Sequence, residues 1–380
     1  MKVNLCDICD FQGGSQPPKS QWTTLQQDGY IRMLQIRDFT QPGKVKAEYV
    51  KLTNTTKCCL KDDILIARYG ASLGKILTGL SGAYNVAMTK AVPNEAIISK
   101  NFLYYFLCSD TFQNCILNVG VRAAQAGFNK EDLSNIELYC PDLSIQNKMC
   151  KILESVDVMI IKSKLQLDKL DLLVKSRFIE MFGDPVSNPH KFTKVPLSEL
   201  ADIKIGPFGS LLHKEDYIEN GHPVVNPSHI VNGNIVVDSR LTISDEKYEE
   251  LAAYKLDIGD VVLGRRGEMG RCAVVPQEGF LCGTGSVIIR TKGEVTSDYI
   301  QQIISFPTFK RTIEDMAVGQ TMPNLNVPIV SNFLITKPPV EIQKRYYDFV
   351  EQVDKSKLAI QQSLDELETL KKSLMQQYFG

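Results

Sequence analysis

Two stretches of the chain carry one long pattern of apolar positions. Ile145 to Met181 and Ile342 to Phe379 contain neither Pro nor Gly, and each is bounded by breakers: Pro141 ahead of the first, Gly183 and Pro185 behind it, Pro338-Pro339 ahead of the second. In the first, Leu153, Val156, Ile160, Ser163, Leu167, Leu170, Val174, Arg177 and Met181 recur at alternating spacings of three and four. In the second, the same frame runs Val350, Val353, Lys357, Ile360, Leu364, Leu367, Lys371, Leu374, Tyr378. This spacing predicts two long helices with a coiled-coil seam. At about 1.5 Å per residue each would reach about 55 Å, farther than a small globule is wide. The order globule, helix, globule, helix predicts antiparallel pairing, with the globules at opposite ends about a pseudo-twofold axis. The alternative is that each helix packs only on its own globule.

Ahead of each helix the pattern changes to short apolar runs punctuated by Gly, Pro and Asn. Asp63–Tyr69, Asp260–Arg265, Val224–Val225, Ile235–Val237 and Val287–Ile289 are predicted as strands. Asn101–Leu117 and Asp298–Ile313 are predicted as helices. Each globule is therefore expected to be a twisted, mostly antiparallel sheet with one or two helices.

The two halves are copies of one unit. A shift of about 197 positions lays Thr111-Phe112 on Thr308-Phe309, Asn129 on Asn326, Pro141 on Pro338, Ile145-Gln146 on Ile342-Gln343 and Phe182-Gly183 on Phe379-Gly380, without a gap. Upstream, Asp63-Ile64-Leu65-Ile66-Ala67-Arg68-Tyr69-Gly70 corresponds to Asp260-Val261-Val262-Leu263-Gly264-Arg265-Arg266-Gly267. Nearer the start the shift falls to about 192, with Gly14 facing Gly206 and most residues different. The unit thus has a variable front and a shared back. The predicted fold is α+β with four parts: globules over 1–143 and 184–340, long helices over 144–183 and 341–380.

Composition narrows the class. With 380 residues, more than one core is expected. The chain has neither a membrane-length apolar run nor a signal-peptide pattern at its start, so a cytoplasmic protein without membrane contact is expected. Its ten cysteines are then expected to be reduced and mostly buried. Cys6 and Cys9 form a CxxC but lack a second ligand pair at zinc spacing, so no metal site is expected. A net charge of -1 means that any DNA contact must come from local basic clusters, with partners supplying much of the affinity.

Catalytic signatures are missing. There is no GxxxxGK[ST] loop. Asn226-Pro227-Ser228-His229 is a faint echo of the adenine-methyltransferase loop, lacking its second Pro and its aromatic. Gly283-Thr284-Gly285-Ser286 is not a nucleophile elbow. The chain is expected not to be an enzyme and to bind no cofactor.

The pattern resembles the specificity subunits of type I restriction–modification systems over essentially the whole chain. The carriers are the Gly259–Gly267 run with its looser copy at 62–70, the Ser134-Asn135 and Ser331-Asn332 leads toward Pro141 and Pro338, the Ile-Gln pair opening each helix, and the closing Phe-Gly. Singly these are weak; twice over, in order, they are specific. The resemblance implies that each globule is a target-recognition domain reading one half of a bipartite double-stranded DNA site. The helices would set the gap and dock two methyltransferase subunits, with restriction subunits joining outside. A helix of about 55 Å spans at most roughly 16 base pairs, enough for two half-sites and a gap. The frame is expected to be complete without a helix ahead of residue 1. The rival readings are a coiled-coil scaffold without a nucleic-acid ligand, and the specificity subunit of a related complex. A self-sufficient methyltransferase or nuclease would need a cofactor or metal motif.

Base edges are read by Arg, Lys, Asn, Gln, Ser, Thr and His. The first candidates lie at the ends of the repeated strands: Arg68 and Lys75, then Arg265, Arg266 and Arg271. Next come matched polar loops, with Arg122, Gln125 and Asn129 in one half and Gln320, Thr321, Asn324 and Asn326 in the other. The third group is Gln35 and Arg37, matched by Asn226, Ser228 and His229. Backbone amides at Gly13-Gly14-Ser15 and Gly209-Ser210 are candidate phosphate holders.

Overall fold

The structure, a computed structural model, describes residues 2–120, 127–208, 211–317 and 324–380. By its contacts the chain divides into two compact units, one of Met1–Gln166 with Ile360–Gly380, the other of Leu167–Ala359. Each unit holds one globule, part of the helix Leu143–Phe182 and part of the helix Val340–Phe379. Both helices are 40 residues long, about 60 Å.

The seam is as the periodicity predicts. All nine frame positions of each helix are buried or half-buried, the polar Ser163, Arg177, Lys357 and Lys371 included. In the first unit the pairs Lys164–Glu368 (2.8 Å) and Lys371–Asp157 (2.5 Å) flank it. In the second, Lys357 reaches Asp171 at 2.5 Å. The two helix segments of each unit pack on each other, as in the Tyr346 hydroxyl donating to the Val174 carbonyl (3.3 Å).

Each globule has two four-stranded sheets where the sequence predicts one. In the first unit, Cys9–Gly13, Met88–Pro93, Ile64–Ala67 and Ile76–Leu77 form an antiparallel sheet in that order. Tyr49–Lys51, Tyr30–Leu34, Gly82–Tyr84 and Cys58–Cys59 form the other, in which Met33-Leu34 run parallel to Ala83-Tyr84. The second unit repeats the plan with Ala201–Ile205, Ser286–Thr291, Val261–Gly264 and Cys272–Val274, then Tyr217–Ile218, Thr242–Ile243, His222–Val225 and Leu281–Cys282. Its parallel pair is Val224-Val225 with Leu281-Cys282. The matched central strands explain the second layer. Ile64 and Ile66 face the helical core, while Leu65 and Ala67 face a cluster with Leu34 and Tyr84. Val261 and Leu263 likewise face one cluster and Val262 another. A strand covered on both faces needs an unbroken apolar run.

The predicted helices are each two. Lys100–Cys108 and Asp110–Gly120 break at the extended Ser109; Ser297–Ser305 and Pro307–Met316 break at Phe306, which Pro307 disfavours from the helical region. Ile235 ends its strand, so Val236 and Val237 lie beyond it.

The Ile-Gln pair has a clear task. Gln146, fully buried, accepts from the Ser99 amide (2.9 Å) and donates to the Ile97 (2.8 Å) and Pro141 (2.7 Å) carbonyls. Gln343 accepts from the Thr296 amide (2.9 Å) and donates to the Pro338 carbonyl (2.8 Å). Ser99 and Thr296 cap the helices that follow them, so each glutamine fixes a long helix to its globule at matched atoms.

Candidate nucleic-acid interface

At one edge of each globule the central strand ends in an arginine. Arg68 donates from Nη2 to the Phe128 carbonyl (3.4 Å), and Tyr69 forms a bridge with Gly127. A Cβ on Gly127 would stand 2.5 Å from the Tyr69 ring, so only glycine permits that approach. In the second unit Arg265 donates from Nε to Asn324 Oδ1 (3.1 Å) and the Leu325 carbonyl (3.2 Å), while Arg266 bridges to Asn324. Burial, and then the Arg266 charge, lower the Arg265 pKa. The repeated arginine is thus a brace between strand end and loop in both copies. The next residue, Tyr69 or Arg266, is exposed. Tyr69 escaped the sequence reading; the signal for it is the position after the brace, where the copies differ.

The same edge brings in the third group. Gln35 and Asn226 each follow the strand of the parallel pair. Glu48 gathers Lys19 (2.6 Å), Arg37 (2.9 Å) and Gln35 (3.0 Å), and its carboxyl is held low, first by Lys19. Asn226 packs on Gly283, where a Cβ would stand 2.2 Å from its Oδ1. His229 is buried with Nδ1 2.9 Å from the Val224 carbonyl, whereas Ser228 is exposed. Arg271 donates to the Pro227 carbonyl (3.3 Å) and pairs with Glu268 (2.6 Å). Lys75 is exposed and has no ion pair among the described residues.

The matched Asn129 and Asn326 are helix N-caps, accepting from the amides of Asp132 (3.0 Å) and Ile329 (2.9 Å). Both are exposed, and capping leaves their amide nitrogens available. Arg122, Gln125, Gln320 and Thr321 lie outside the described residues, as do Gly209 and Ser210. The phosphate role expected for the glycine loop needs correcting: the Gly14 and Ser15 amides already donate to the Met88 and Tyr84 carbonyls, both at 3.1 Å. Gly14 is there for close approach, since a Cβ would meet the Asn85 carbonyl oxygen at 2.1 Å; its match Gly206 would meet the Gly283 carbonyl oxygen at the same distance.

All ten cysteines are free, and burial pushes the Cys9 thiol up to about 12, unlike a metal-ligating thiolate. Among the described residues no His, Cys, Asp and Glu group could hold a metal, and no helix is long and apolar enough to cross a membrane.

A duplicated α+β globule, each copy followed by a long helix and carrying hydrogen-bonding side chains at one loop edge, defines the class. The family model for the type I restriction modification DNA specificity domain matches residues 1–169 and again 189–369, and the chain belongs to that family. A relative, the type I restriction enzyme MjaVIII specificity subunit of Methanocaldococcus jannaschii, is 22% identical over 98% of this chain and 90% of its own. Among solved structures, a chain from work on complex assembly and conformational transition of the type I R-M system has a TM-score of 0.66 at 18% identity, covering 100% of this chain and 97% of that one. The S subunit from M. genitalium (TM-score 0.57, 15% identity, 100% and 96% covered) and the HsdS subunit from Thermoanaerobacter tengcongensis (0.52, 18%, 100% and 96%) share the fold.

Proposed function

We propose that this chain reads a bipartite double-stranded DNA site for a type I restriction–modification complex and performs no chemistry itself. The globular parts, 1–143 and 184–340, act as two target-recognition domains, one per half-site. The long helices set the gap and dock two methyltransferase subunits, with restriction subunits joining them. The observation that carries this reading is the family's DNA specificity domain occurring twice in one chain, with the same arginine-braced edge in each copy.

Base reading falls to the exposed side chains of that edge, with Lys75, Arg37 and Ser228 joined by Tyr69 and Arg266. Arg68 and Arg265 act by holding the loop in place. Two unlike readers select an asymmetric site. Mapping N6-methyladenine across the host genome with the gene intact and deleted tests the reading. Loss of one gapped motif is the expected result; an unchanged methylome together with no specific binding by the reconstituted complex would favour the scaffold. Arg266→Ala should relax one base position of one half-site by about 1–3 kcal/mol of discrimination and leave the other half unchanged.

A further inference from the structure

The first long helix has a second apolar row that its repeat partner lacks. Opposite the seam, one position in every seven is apolar: Val158, Leu165, Leu172 and Ile179, with Ile161 beside them. All five lie on one unbroken helix, Leu143–Phe182, and are between 48% and 65% exposed. At the matching positions the second helix has Lys355, Gln362, Thr369 and Gln376, which suit water. A sevenfold row of Val, Leu and Ile on a helix face already turned away from its seam has the form of another seam.

Charge says what covers it. Lys148, Lys151, Lys162 and Lys169 follow one flank of the row; all are exposed, and among the described residues none has an ion pair. Their matches in the second helix are Arg345, Asp348, Ala359 and Glu366, with no net basic character. A second copy of this chain would set lysine row against lysine row. An acidic amphipathic helix would cover the apolar row and answer the lysines together.

We propose that the outer face of the first long helix, and not that of the second, is a docking seam for an acidic amphipathic helix of a partner. Resting on the function proposed above, that helix belongs to a methyltransferase subunit. Docking is then unequal on the two helices even though they arose as copies.

The test measures binding of the full chain to its methyltransferase subunit by sedimentation, with circular dichroism confirming that each variant keeps its helix. The double variant Leu165→Lys/Leu172→Lys should weaken assembly about tenfold or more, and the matched Gln362→Lys/Thr369→Lys should leave it unchanged. Lys162→Glu/Lys169→Glu should weaken it too and flatten its salt dependence. Equal losses on both helices, no loss at Leu165 and Leu172, or self-association of the chain through this row would each overturn the proposal. Failure of the wild-type chain to bind the subunit would overturn the partner reading itself and this seam with it. Wild-type assembly indifferent to the row sinks the seam alone.

Discussion

The junction between helices and globule is built differently in the two units, although the same alignment positions make it. In the second unit it is a stack of rings: Phe178 lies 5.0 Å from Phe182, 5.5 Å from Tyr346 and 5.6 Å from Phe306. In the first unit the matching positions are Met375, Phe379, Met149 and Ser109. Three of the four rings are gone. A cavity of 330 Å³ opens there, lined by Tyr104, Tyr105, Cys108, Ser109 and Met375 among others, and bordered by Asp157 and Lys371. Polar bonds do part of the holding: Asp157 accepts from the Tyr105 hydroxyl (2.9 Å) and pairs with Lys371. One contact survives unchanged. Phe379 sits 5.0 Å from Phe102, and Phe182 sits 5.1 Å from Tyr299 at the matching place. The lesson is that the closing Phe and the glutamine clamp define the junction, and the remaining volume can be filled by rings or left to a polar network.

That contrast can be broken by substitution. Phe178→Ala should cost about 3–5 kcal/mol in denaturant unfolding, because a fully buried ring leaves a cavity; Met375→Ala, half-exposed at the edge of an existing cavity, should cost less than about 2. Equal costs would mean that the ring stack holds no more than the polar junction. Next in size, Gln146→Ala and Gln343→Ala should each cost about 2–3 kcal/mol, since each strands a buried amide and at least one carbonyl. Here the two units should agree, and a clear difference would show that the clamp is not shared after all. The smallest effect should come from Met375→Phe, which brings the second unit's ring into the first. Calorimetry should find it neutral to about 1 kcal/mol stabilising; a loss of several kcal/mol would mean that the cavity walls cannot move to accept a ring.

Much of this was legible in the chain. The heptad frame located both helices and chose their buried face residue by residue, because a period near 3.5 leaves little freedom about which side is covered. Duplication located the shared back, since only positions with a common structural task survive in both copies. What the repeat could not say is what that task is. Arg265 and Asn326 were singled out as base readers for being polar and matched; the structure makes the arginine a brace and the asparagine a helix cap. Tyr69 went unnoticed because it is unmatched, and exposure there is decided by the bridge to Gly127, a residue far along the chain. The second sheet was missed for a related reason. Its strands are short, Cys58–Cys59 and Leu281–Cys282 among them, and two residues carry no period.

The sequence by itself determined the duplication, the two long helices and their seam, because those depend on spacing within one element. The tertiary structure alone decided which matched polar residues are spent on holding loops and which remain exposed, because a hydrogen bond such as Arg265 to Leu325 joins positions that no local pattern connects.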